Sequence, residues 1–141
     1  MKLNQDFSTE LKSLNQRFNT DFAIISHIVA NTYRVCQIAS ELDVINIGDE
    51  FETSNTYCQA VIETNEIVTY DHVGNIDSML LHPIYTAMQL ESYIGYPLKH
   101  NGKMVGTLNF SSFEPKQPNF DEHDRQVIKE LATKINLAIS E

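Results

Sequence analysis

The chain has 141 residues and a net charge of −9, from 19 acidic and 10 basic side chains, with hydrophobic residues at 42% and charged ones at 21%. That length and apolar content predict one domain, residues 1–141, with its own core, and exclude a disordered chain. The acidic balance and the lack of a basic run exclude nucleic acid and anionic membrane as partners, because phosphate contacts need clustered Lys and Arg.

Leu3, Phe7, Leu11, Leu14 and Phe18 recur within an arc of about 80° on a helical wheel. They predict an amphipathic helix of roughly four turns, broken by Asn19-Thr20-Asp21. Phe22 to Val29 is apolar and β-rich, a buried strand. After the turn Ala30-Asn31-Thr32, Tyr33 to Ala39 alternates apolar and polar, so the two runs make a hairpin. Glu41 to Glu52 reads as a loop. A short helix follows, capped by Thr53 or Ser54, with Tyr57, Cys58, Val61 and Ile62 on its apolar face. Ile67 to Tyr70 is a short strand, and His82 to Leu90 a short helix with Pro83 first and Ile84, Ala87 and Met88 apolar.

Ser92–Leu98 and Met104–Ser111 read as strands joined at Asn101-Gly102, both of which accept positive φ. Pro97 within a strand implies an edge or a bulge. After the proline-containing loop Glu114–Asn119, Asp121 and Asp124 form a capping box. The last helix runs to the chain end, with Val127, Leu131, Ile135 and Ala138 on one face and Leu137 off it. The order predicts an α+β fold: an antiparallel sheet of five to six strands, both terminal helices on one face, and the Phe51–Leu90 segment over the other, enclosing a cleft.

This order resembles the GAF domain, a relative of PAS domains. The likeness is carried by Leu90-Glu91-Ser92-Tyr93-Ile94-Gly95-Tyr96-Pro97-Leu98, by Asn101-Gly102, by Gly106 to Ser112, and by Phe120 and Asp124. Asn55 to Cys58 and His82 to Tyr85 are similar to GAF domains found with bacterial histidine kinase or diguanylate cyclase modules. The resemblance implies a regulatory module rather than an enzyme, binding a cyclic nucleotide, haem, a bilin, a small anion, an amino acid or nothing. Asn109, Phe120 and Asp124 match the pattern of cyclic-nucleotide-binding members, but Phe110 and Arg125 stand where that pattern has Lys and Glu. The Asp-Ile-Pro element of bilin-binding members and the cysteine cluster of free methionine sulfoxide reductases are both missing.

Cys36 and Cys58 lie far apart, without a CxxC pattern, and no apolar stretch reads as a signal peptide or a membrane span. The expected compartment is the cytosol, with reduced thiols. Tyr57, Tyr70, Tyr85 and Tyr93 are the tyrosines expected around the cleft; each offers a flat apolar body and a polar tip, or simply fills a core. Cys58, His72 and His82 are the other candidate ligand-binding residues. His72 and His82, with Asp71 and Cys58, could meet across a pocket, but no metal-ligand spacing links them, and no metal or cofactor is assigned. The expected partners are an unidentified small molecule, a second copy of the chain through the terminal helices, and an effector domain after Glu141. The competing readings are a ligand-free dimerisation scaffold and a cysteine-dependent methionine sulfoxide reductase.

Overall fold

Side chains alternate along a strand, and here that alternation divides each central strand between two cores. The computed structural model describes residues 1–141. Its elements are β1 (Lys2–Leu3), α1 (Ser8–Phe18), β2 (Phe22–Val29), β3 (Thr32–Ala39), β4 (Glu50–Glu52) and α2 (Cys58–Thr64). There follow β5 (Val68–Tyr70), α3 (Pro83–Met88), β6 (Ser92–His100), β7 (Lys103–Ser112), α4 (Glu122–Leu137) and β8 (Ile139–Ser140). Short 3-10 turns lie at Thr53–Asn55, Val73–Asn75 and Asp77–Met79.

The strands from β2 to β7 form one six-stranded antiparallel sheet in the order β4-β3-β2-β7-β6-β5. On one face Ala23, Ile25, Ile94, Leu98, Leu108 and Phe110 meet Phe7, Leu11 and Phe18 at α1 and Ile128, Leu131, Ala132 and Ile135 of α4. Phe18 stands edge-on to Phe110 and Phe120, with ring centroids 5.0 and 6.0 Å apart. On the other face Phe22, Ile24, Tyr33, Val35 and Tyr93 meet Tyr57, Cys58 and Val61 at α2. The α+β layering expected from the sequence is therefore the one observed.

Turn chemistry follows local sequence. Asn101 and Gly102 take φ of +53° and +77° and close the β6–β7 hairpin. Asn19 and Asn65 end α1 and α2 in the left-handed region. Pro97 lies outside the stretch of β6 that pairs with β5, Tyr93 to Gly95, so its missing N–H breaks no ladder on that side.

Four local expectations are corrected. The first helix starts at Ser8, not Leu3: the Asp6 carboxylate accepts from the Ser8 amide and hydroxyl, and Leu3 pairs with Ile139. The last helix does not run to the chain end; it stops at Leu137, and Ile139 and Ser140 form β8 against β1. Glu50–Glu52 is a strand, because Phe51 packs opposite Tyr33 while its acidic neighbours stay at the sheet edge. Thr53 and Ser54 form their own 3-10 turn instead of capping α2, which has Tyr57 at its cap position and no side-chain cap bond.

The predicted capping box is present: Asp124 N donates to Asp121 Oδ1 at 2.8 Å, and Asp121 N to Asp124 Oδ2 at 3.0 Å. The Asp124 amide, above all, holds the Asp121 carboxyl below its usual pKa. A carboxyl lowered by folding stabilises the fold above its unfolded pKa, and that help is lost as pH falls through the folded value. Asp121→Ala is expected to lower Tm at neutral pH, and the gap from the parent to shrink in acid; thermal melts across pH check both.

Candidate ligand cavity

β7 brings Thr107, Asn109 and Ser111, at every second position, onto the face covered by α2. They would be costly buried polar residues if left unpaired, and most find partners. Asn109 Nδ2 donates to Tyr33 OH at 3.0 Å and to Thr107 Oγ1 at 3.1 Å. The hydroxyls of Ser26 and Thr107 are 2.6 Å apart. From α2, the Cys58 sulfur lies 3.0 Å from Tyr93 OH and 3.4 Å from Thr107 Oγ1. Gly95 makes this possible, since a β-carbon there would collide with the Tyr93 hydroxyl. The result is a buried polar floor that ties β2, β3, β6, β7 and α2 together.

Above the floor lies a cavity of about 60 Å³, lined mainly by apolar side chains. Ile24, Tyr33, Asn109 and Ser111 form its base; Tyr57, Cys58 and Tyr93 one wall; Ile45 and Phe51 another; and Ile84 and Met88 of α3 with Leu90 the roof. The Tyr57 hydroxyl donates to the Leu90 carbonyl at 2.7 Å, joining α2 to the roof. α3 starts at Pro83, where His82 Nδ1 accepts from the Ile84 amide, and buries none of its residues. Drug-sized ligand pockets run to about 300–1,000 Å³, so this space holds a few small groups, not a tetrapyrrole.

Of the seven residues singled out from the sequence, Tyr57, Cys58 and Tyr93 line the cavity. Tyr70 and His82 pack against Tyr57 from behind, with centroids 5.4 and 4.9 Å away. Tyr85 and His72 lie outside it. The Tyr85 hydroxyl donates to Glu91 Oε2 at 3.0 Å, and His72 Nε2 is 3.8 Å from Glu91 Oε1. The suggested meeting of His72, His82, Asp71 and Cys58 does not occur: Asp71 accepts from the Phe120 amide, and no group of three His, Cys, Asp or Glu side chains gathers anywhere. Of the residues at the floor and base, the sequence points to Asn109 alone, through the cyclic-nucleotide pattern, and to none of Tyr33, Ser26, Thr107 and Ser111. Their signal was three polar residues on one face of a central strand, where burial was certain.

Burial raises the acidic groups of this site. The Cys58 thiol is pushed up to about 11, with the bonds to Thr107 and Tyr93 pulling the other way. Desolvation also raises Tyr33, Tyr57 and Tyr93. A group that folding makes a weaker acid leaves stability intact below its unfolded pKa and erodes it as pH climbs towards the folded value. For Cys58 that window opens near 9.0 and extends to about 11. The urea midpoint is expected to stay level from pH 7 to pH 8 and to fall steeply above about pH 9; Cys58→Ala should remove part of the early fall.

The GAF domain profile matches residues 3–139. The chain belongs to the GAF domain family. No curated protein matches it. Its fold is similar to the phycocyanobilin-bound GAF domain of a cyanobacterial phytochrome, at 11% identity over 98% of this chain and 84% of that one, TM-score 0.75. It is also similar to the GAF domain of an Acinetobacter phosphoenolpyruvate-protein phosphotransferase, at 15% identity over 94% of this chain and 78% of that one, TM-score 0.73. A third similar structure is the type II free methionine-R-sulfoxide reductase of Thermoplasma acidophilum, at 15% identity over 94% of this chain and 88% of that one, TM-score 0.71. At these identities the likeness concerns the fold. In this GAF domain no helix is long and apolar enough to cross a membrane.

Proposed function

We propose that this GAF domain is a small-molecule-sensing regulatory module of bacterial signal transduction, one domain over residues 1–141, acting in the cytosol on an effector. The observation that carries the reading is a shallowly buried roof over a hydrogen-bonded polar floor. α3 buries no residue, while the floor beneath it is built from hydrogen-bonded side chains of four strands and α2. The same strands supply the transmission. Asn109 faces the cavity, and its neighbours Leu108 and Phe110 pack against the terminal helices. A ligand that binds one arrangement of the roof better than another would bias β7, and through it α1 and α4. A homodimer through these helices would use their outer sides, where Leu137 is 85% exposed.

Native mass spectrometry of protein purified from its own host is the test. A bound small molecule that is released on denaturation supports sensing. A mass matching the bare chain, with no thermal shift across a broad panel of metabolites, overturns it.

One observation favours the ligand-free scaffold: Tyr57 and Tyr93 fill much of the cleft, leaving about 60 Å³. Under that reading sedimentation would show a stable dimer that no compound perturbs. The reductase reading draws on the likeness to a sulfoxide reductase. Two features stand against it here. Cys36 packs on the helix-covered face and Cys58 on the other, so the sheet separates the thiols. A thiol raised to about 11 stays protonated at neutral pH, and the thiolate is the nucleophile. The expected outcome is no reduction of free methionine sulfoxide; turnover that Cys58→Ser abolishes would reinstate the enzyme.

A further inference from the structure

The sensing reading leaves the ligand's chemistry open, and the lining of the cavity constrains it. None of the residues that line the cavity is Asp, Glu, Lys, Arg or His. An ion entering it would shed its hydration shell and meet no counter-charge, so the lining selects against charged guests. Glu91, beside the roof, has its carboxylate engaged by the Gly74 amide at 2.8 Å and the Tyr85 hydroxyl at 3.0 Å.

Two polar groups remain at the base. Asn109 and Ser111 are 4% and 5% exposed and both line the cavity. The Asn109 amide nitrogen has its two partners, Tyr33 and Thr107, while its Oδ1 accepts from no protein group. Ser111 Oγ has no hydrogen-bond partner in the protein. Two positions apart on β7, the two residues share the strand face that lines the cavity and bring an amide and a hydroxyl to it, with Ile84, Met88 and aromatic rings completing the enclosure. The one sealed side-chain polar atom without a partner is Ser92 Oγ; Asn109 and Ser111 instead open onto the cavity, where a guest carrying both a donor and an acceptor can pair with them.

We propose that the cavity takes a small uncharged molecule with an apolar body and a hydroxyl head, the head donating to Asn109 Oδ1 and accepting from Ser111 Oγ. This rests on the sensing reading and specifies its ligand class. An engineered apolar cavity of about 150 Å³ admits benzene. A single ring here therefore requires Ile84 and Met88 to swing outward with α3, the least buried helix of the fold.

The experiment is an NMR titration of the methyl groups of Ile24, Ile84 and Met88 at pH 7, in the parent and in Met88→Ala, which widens the roof. The probes share one ring: phenol, toluene, benzoate and benzylammonium. Phenol is expected to bind about tenfold more tightly than toluene, with the two ions producing no saturable shift at the same concentrations. Ser111→Ala should weaken phenol towards the toluene value and leave toluene unchanged. Benzoate or benzylammonium binding as tightly as phenol overturns the uncharged class while leaving the sensing reading intact. Phenol no better than toluene, or unaffected by Ser111→Ala, overturns the hydroxyl assignment. If no probe moves these methyls in either protein, the ligand class fails; the sensing reading then stands or falls on the co-purified ligand alone.

Discussion

Phe110→Ala is expected to lower the unfolding free energy by about 4 kcal/mol, at the upper end of what large-to-small core changes cost. Phe110 is fully buried towards the end of β7, paired with Ala23 of β2 and Ile94 of β6, and edge-on to Phe18 at 5.0 Å. Deleting the ring removes its buried area, the aromatic contact and the filling between sheet and helices at one point. The sheet cannot close the gap, because β7 is held by strands on both sides. A domain of this size has about 5–15 kcal/mol in total, so the variant should unfold at much lower urea. Phe110→Leu, which keeps most of the volume, should cost less than about 1.5 kcal/mol. Equilibrium urea melts decide it. Equal, small losses for both variants would mean that the terminal helices do not clamp this face.

Gly106→Ala is expected to be at least as damaging, through the backbone and not the core. A β-carbon at Gly106 would run into the carbonyl of Ser26 on the neighbouring β2. No rotamer change relieves a collision with a paired main chain, so β2 and β7 would have to part at the centre of the sheet. Overpacking usually costs about 1–3 kcal/mol when side chains can yield; here they cannot, and a loss above that range, or no folded protein, is predicted. Gly102→Ala is the control. Gly102 has nothing near its missing β-carbon but sits at φ +77°; the expected penalty is the left-handed strain, about 1 kcal/mol. Circular dichroism during urea melts separates the two.

What the sequence reveals follows the range of the interaction. Helical and two-residue periods, the Asn101-Gly102 turn and the Asp121–Asp124 box are local, and each was legible. β1 and β8 were not. Leu3 and Ile139 continue their helical stripes as well as they pair with each other, and only the contact between chain ends decides. The cavity shows the same divide. Ile84 and Met88 share one side of a short helix, four positions apart, and both reach the cavity. Tyr85, one position round from Ile84, is turned towards Glu91. Choosing residues by type favours Tyr85 and passes over Ser111; choosing them by the face of the strand or helix reverses both.

Pairing of β1 with β8 has a further consequence. Lys2 stands opposite Ser140, so polypeptide arriving at one end and departing from the other would run side by side in opposite directions. Such a unit could be spliced into a surface loop of another protein with a gap of only ~5 Å to bridge, or be circularly permuted through a short linker. Tension across the two ends would peel these residues apart one pair at a time, like a zip fastener, and the second pair, Leu3 with Ile139, would carry the load straight into the helix-covered layer.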